Sequence, residues 1–119
     1  MAKRKVEIFI GPIPCSCAGG LTPAKQEKVT RALALNSALG RNHSDKYDVE
    51  YFDLGDDAAY DESLKLLRRR LEEAGEHERA AGAAYSIKDI TPAIAVDGKL
   101  EWTGDAPEAD EFLRRYSTL

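Results

Sequence analysis

The sequence predicts one α/β domain over residues 1–119, built on a four-stranded mixed sheet in the order β-α-β-α-β-β-α with helices on both faces. Three observations predict it. The run Val6-Glu7-Ile8-Phe9-Ile10 is apolar on both alternating faces, as in a strand buried inside a sheet. Thr22-Pro23 opens a long stretch of helical apolar spacing, which supplies a right-handed crossover to a parallel second strand. Ala93-Ile94-Ala95-Val96, the turn pair Asp97-Gly98 and Lys99-Leu100-Glu101-Trp102-Thr103 form a hairpin signal, so two antiparallel strands close the sheet.

The elements follow in chain order. Lys5 to Ile10 is the central first strand. A helix is predicted from Pro23 to Leu39, with Thr22 as N-cap, Val29, Ala32, Leu33 and Leu39 as its apolar stripe, and Gly40 as its stop. Tyr47 to Leu54 alternates and is rich in aromatic residues, which fits a more exposed strand ended by Gly55. Tyr60, Leu64, Leu67, Leu71 and Ala74 recur at helical spacing up to Gly75. The alanine-rich stretch from Glu76 to Ala84 continues helically, and Tyr85 to Ile90 is an irregular approach to the third strand. After the hairpin, Asp105 caps a last helix whose apolar face is Ala109, Phe112, Leu113 and Tyr116. There are no internal repeats and no low-complexity segments.

Composition narrows the function. With 119 residues and 43% hydrophobic content, the chain holds one compact core. Seventeen Lys and Arg stand against 21 Asp and Glu, a net charge of -4, and no basic face carries interleaved aromatics, so nucleic acid is not the expected partner. The apolar run after Lys3-Arg4-Lys5 is broken by Glu7, Pro12 and Pro14, which argues against a signal peptide, and no segment approaches bilayer-spanning length. A cytoplasmic location without membrane partners is expected, where a purely structural disulfide would be out of place.

The chain has two cysteines, both in the segment Gly11-Pro12-Ile13-Pro14-Cys15-Ser16-Cys17-Ala18-Gly19-Gly20. They fall where the first strand hands over to the first helix, a frequent position for reactive groups in α/β domains. Together with Thr91-Pro92-Ala93-Ile94-Ala95-Val96-Asp97-Gly98, this order of elements resembles the thioredoxin superfamily, particularly its small glutaredoxin-like members, across nearly the whole chain. The resemblance implies a cis peptide bond at Thr91-Pro92, set against the cysteine segment. It also implies that the backbone of Thr91 offers hydrogen bonds to an extended substrate by strand addition, with Thr91, Pro92 and Ser16 on the substrate side. Two departures matter. The family spacing is Cys-x-x-Cys, whereas Cys15-Ser16-Cys17 is one residue shorter, so either cysteine can take the nucleophile's place. The helix also starts several residues past both sulfurs, which weakens any lowering of thiol pKa by its dipole.

Two chemistries follow from the pair. Cα atoms two residues apart span roughly 6.6 Å when extended, near the upper limit for a disulfide, so a Cys15–Cys17 bridge needs a turn at Ser16. Such a ring is expected to be strained and correspondingly oxidising. The leading expectation is thiol–disulfide exchange with a protein or small-thiol partner, catalysed by Cys15 and Cys17 without a cofactor. The alternative is a soft-metal or metalloid carrier whose ligands are Cys15 and Cys17. The arsenic metallochaperones also resemble this chain, with a thioredoxin-like fold and cysteines in the first loop, but they use three cysteines and this chain has two. A third reading keeps the fold as a non-catalytic interaction module.

Other polar residues carry weaker signals. Four-ligand zinc or iron–sulfur sites are not expected within one chain, because His43 and His77 lie in polar surroundings away from the thiols. Neither histidine has a sequence-near partner for a catalytic dyad. Lys88 and Asp89 read as solvated loop charges, Trp102 as a packing residue, and Arg68-Arg69-Arg70 as a solvated helix face beside Glu72 and Glu73.

Overall fold

The computed structural model describes residues 3–11 and 22–116. Its first strand, β1 (Arg4–Ile10), lies inside the sheet, and from Val6 to Ile10 each residue is buried on one face or the other. The first helix, α1 (Pro23–Asn42), leads back to β2 (Tyr47–Asp53), which pairs with β1 in parallel from Arg4↔Tyr47 to Ile10↔Asp53. Three helices follow: α2 (Tyr60–Glu73), α3 (His77–Ala81) and α4 (Ile87–Ile90). Then come β3 (Ala93–Val96), β4 (Lys99–Thr103) and α5 (Ala109–Tyr116). The strands lie in the order β2-β1-β3-β4, with β3 antiparallel to both of its neighbours. This is the mixed α/β architecture read from the sequence, and it is consistent with a thioredoxin-like arrangement.

Alternation along β1 divides the core in two. Val6, Ile8 and Ile10 face Val29, Ala32, Leu35 and Leu39 of α1 and Phe112 of α5. Phe9 faces the other way, onto Leu64, Leu67 and Leu71 of α2 and onto Ala80, Ala83, Ile87 and Ile90. Helices therefore cover both faces, and β1, whose two faces are both apolar, has to be central.

Local signals set most of the boundaries. Thr22 caps α1 by accepting a hydrogen bond from the Lys25 N–H at 3.2 Å, ahead of Pro23. Gly75, at φ 82°, ends α2 in a Schellman turn, with Glu76 N–H donating to Leu71 O at 2.9 Å and Gly75 N–H to Glu72 O at 3.0 Å. Asp97 and Gly98, at φ 53° and 83°, form the hairpin turn that the Asp-Gly pair predicts.

Five expectations need correction. Asp105 does not cap α5, which starts four residues later; its Oδ1 accepts from the Ala106 N–H at 2.8 Å and from Arg31 Nη2 at 3.0 Å. Gly40 does not stop α1; the helix runs two residues further, until the His43 N–H closes on Leu39 O. Glycine permits a left-handed stop without imposing one. Leu35 takes the core position predicted for Leu33, which is 38% exposed, because Ala32, Leu35 and Leu39 follow the buried stripe and Leu33 lies one residue off it. The irregular approach at 85–90 contains the short helix α4. Finally, Arg70 is not solvated: it reaches across to Glu7, which is 1% exposed in the middle of β1, and grips both carboxylate oxygens through Nε at 2.6 Å and Nη2 at 2.9 Å. Glu7 holds the Arg70 guanidinium well above the usual arginine range.

No helix among the described residues is long and apolar enough to cross a membrane.

Candidate functional site

The site forms where the C-terminal end of β1 meets the segment between α4 and β3. Thr91 follows α4 with extended backbone, φ -108° and ψ 153°, and the Thr91-Pro92 peptide bond is cis. Thr91 is 2% exposed and Pro92 is buried. The Thr91 N–H donates to Ile87 O at 3.0 Å, and its hydroxyl donates to the same oxygen at 2.5 Å. The backbone and side chain of Thr91 thus both tie it to the start of α4.

Three other parts of the chain converge on this ledge. Gly11, the last described residue before the cysteine segment, packs directly on it. A Cβ at position 11 would collide with Thr91 Oγ1 and would stand 3.1 Å from Ile87 Cγ2. From the first turn of α1, Lys25 donates through Nζ to the backbone carbonyls of Thr91 and Lys88. From the turn after β4, Gly104 N–H donates to Ile90 O at 3.0 Å and Asp105 N–H to Pro92 O at 3.1 Å. Gly104 adopts φ 71°, and a Cβ there would lie 2.5 Å from Asp89 O, so both the turn and the close approach require glycine.

Cys15, Ser16 and Cys17 lie outside the described residues, between two described anchors. The described chain stops at Gly11, which packs on the Thr91 ledge, and resumes at Thr22, three residues before Lys25.

Lys25 is the residue that sequence reasoning missed. Burial pushes its ammonium below the usual lysine value of 10.5; Lys28 adds to the effect and Asp89 opposes it. A signal for it was present in the sequence. The first turn of α1 contains no acid, and a lysine at the positive end of a helix dipole is electrostatically misplaced unless acceptors elsewhere hold it. Here the acceptors are carbonyls at the end of α4.

The remaining candidates sit away from chemistry. The side chains of Lys88 and Asp89 are exposed. Trp102 packs on Phe112 and Tyr116 at centroid distances of 5.9 and 6.1 Å, with the Arg115 guanidinium 5.0 Å above its ring. His43 caps α1 and meets the edge of Tyr47, while His77 pairs with Glu72 at 2.7 Å on the surface. Among the described residues no cluster of three or more His, Cys, Asp or Glu is arranged to hold a metal ion. A broad cleft of about 1070 Å³ opens beneath α2, lined by Lys5, Glu7, Glu50, Phe52, Arg69 and Arg70 among others, and its lining includes none of Thr91, Pro92 and Lys25.

No family model and no curated protein matches the chain. Among solved structures, the fold is similar to that of the arsenical resistance operon trans-acting repressor from Bacteroides vulgatus ATCC 8482. The TM-score is 0.53 at 18% sequence identity, over 96% of this chain and 92% of that one. At this identity the likeness extends to the fold.

Proposed function

We propose that this chain is a thioredoxin-superfamily dithiol protein of the cytoplasm that exchanges disulfides with a protein or small-molecule thiol partner through Cys15 and Cys17. The observation that supports the reading is the cis Thr91-Pro92 ledge itself, with Gly11 packed on Thr91 and the Lys25 side chain reaching the Thr91 carbonyl from the first turn of α1. The extended backbone of Thr91 suits it to lie alongside an extended partner segment, with Pro92 and Ser16 completing the contact.

The chemistry balances within the pair and its partner. One cysteine thiolate attacks a partner disulfide, forming a mixed disulfide and expelling a partner thiolate. The second cysteine, as thiolate, attacks the mixed disulfide, which closes Cys15–Cys17 and expels the second partner thiolate. Two electrons pass to the partner, and the protons lost by the two cysteines are taken up by its thiolates. The reverse direction oxidises the partner.

Equilibration in graded thiol–disulfide buffers, followed by alkylation and mass measurement, tests this. An intramolecular Cys15–Cys17 bridge that forms and breaks over a defined potential range is expected, with Cys15→Ser and Cys17→Ser each trapping a mixed disulfide instead. A pair that never bridges at any potential refutes the two-thiol cycle.

A second reading is favoured by the name of the structural neighbour, which concerns arsenical resistance. Two thiolates on one loop suit a soft metalloid such as arsenite, and a dimer would supply a third thiolate. Stoichiometric arsenite uptake by the reduced protein, lost in both serine variants and accompanied by a change in oligomeric state, is the result this reading requires.

A further inference from the structure

Every backbone hydrogen-bonding group on the Thr91-Pro92 ledge is already engaged. The Thr91 N–H is held by Ile87 O, the Thr91 carbonyl by Lys25 Nζ, and the Pro92 carbonyl by Asp105 N–H. Two of these partners are backbone groups of the elements flanking the ledge. The third is the end of a long, half-buried side chain rather than a backbone group. The Thr91 carbonyl is therefore the group on the ledge most easily released to a ligand, and Lys25 is what must move to release it.

Moving Lys25 has a chemical consequence. Its ammonium is partly desolvated, and among the described residues it hydrogen-bonds carbonyls and no carboxylate. An extended ligand that takes over the Thr91 carbonyl with its own N–H deprives the ammonium of one of its two acceptors. A ligand that also brings a carboxylate replaces that acceptor with an ionised one, and hydrogen bonds between ionised partners are roughly twice as strong as neutral ones. A ligand with only amide side chains gives no such return.

We infer that Lys25 is a latch on the Thr91 carbonyl that makes this ledge selective for extended peptides carrying an acidic side chain beside the pairing segment. The inference rests on the reading of Thr91 as the residue that pairs with an extended ligand. It adds the substrate class: acidic peptides in preference to their neutral isosteres. Lys25 acts here as a specificity-determining residue, separate from any role of Cys15 or Cys17 in exchange.

Fluorescence anisotropy with short labelled peptides tests it on the full chain in reducing, low-salt buffer. The peptides contain no cysteine and differ by a single Glu or Gln. The wild type is expected to favour the Glu peptide about tenfold, with the preference shrinking as salt is raised. Lys25→Met is expected to abolish the preference and to bind the Gln peptide more tightly than the wild type does, because the latch is gone. Lys25→Arg is expected to retain selectivity, and Lys28→Met to leave it unchanged.

A lysine that merely caps the end of α4 would, when replaced, weaken both peptides equally; that result overturns the inference. So does a Glu preference that survives in Lys25→Met or disappears in Lys28→Met. Absence of binding by wild type and variants alike overturns it too. Because the peptides carry no thiol, none of these results bears on the redox titration of Cys15 and Cys17, which is judged on its own.

Discussion

Replacing Gly11 by alanine probes the contact on which the candidate site is built. The new Cβ would collide with Thr91 Oγ1 and would stand 3.1 Å from Ile87 Cγ2 and 3.3 Å from Thr91 Cβ. Thr91 has little room to yield, being 2% exposed with its hydroxyl bonded to Ile87 O. Overpacking of this kind costs about 1–3 kcal/mol, and forcing the hydroxyl out of its bond adds about 1 kcal/mol, so Gly11→Ala is expected to destabilise by about 2–4 kcal/mol. Thr91→Ala alone is cheaper, about 1 kcal/mol, because Ile87 O keeps the bond from the Thr91 N–H and is not orphaned. In the double variant the colliding oxygen is absent and the approaches to Ile87 Cγ2 at 3.1 Å and to the Cβ at 3.3 Å remain, so the two costs should not add in full. Urea denaturation of the wild type, both single variants and the double variant yields the coupling energy, expected at about 1–2 kcal/mol. Additive costs, or a Gly11→Ala cost below about 0.5 kcal/mol, would refute the packing of the first strand's end onto the ledge.

Three further outcomes follow from the same structure. Gly104→Ala, at φ 71° and with a Cβ 2.5 Å from Asp89 O, is expected to cost about 2–4 kcal/mol in urea denaturation, from the left-handed backbone and the clash together. Arg70→Met leaves Glu7 buried beside Lys5 alone, whose Nζ is 3.9 Å away; a loss of about 3–5 kcal/mol is expected, largely recovered in Glu7→Leu/Arg70→Met, with thermal melting as the measurement. The Lys25 ammonium has a lower pKa in the folded chain than its usual 10.5, so the unfolded chain binds more protons between the two values. The stability of the wild type relative to Lys25→Met should therefore rise as pH increases toward 10.5, and a flat difference across that window contradicts the desolvation of Lys25.

How legible these features are in the sequence depends on the distance over which they are encoded. The apolar faces of Val6–Ile10, the Thr22-Pro23 helix start and the Asp97-Gly98 turn are short-range signals, and the structure contains all three. The short helices α3 and α4, of five and four residues, complete barely one turn each, too few for periodicity to register. The Glu7–Arg70 pair joins residues 63 apart, and nothing in an arginine run tells which member will turn inward until the sheet lies beneath it. A lone carboxylate in an otherwise apolar strand was nonetheless a visible demand for a cation. At the site, the Thr91-Pro92 bond was readable through family resemblance, whereas Lys25 required knowing that the start of the first helix lies against the end of the fourth. That is a tertiary fact, hinted at only by a lysine placed where a helix dipole disfavours it.

The ledge is fixed by parts of the chain that have no other reason to meet. Gly11 comes from the end of the central strand, Lys25 from the start of the first helix, and Gly104 and Asp105 from the turn that follows the hairpin. Each makes its contact through a feature that tolerates little substitution: a missing Cβ, a side chain long enough to reach two carbonyls, a left-handed glycine. A surface loop kept only to connect a helix to a strand needs no such convergence, since its backbone groups can be satisfied by water. Here the donors and acceptors that water would serve are taken up by protein, at the carboxyl end of β1, where open α/β sheets place their ligand sites. Of the backbone groups on the ledge, the Thr91 carbonyl is the one held by a side chain, that of Lys25.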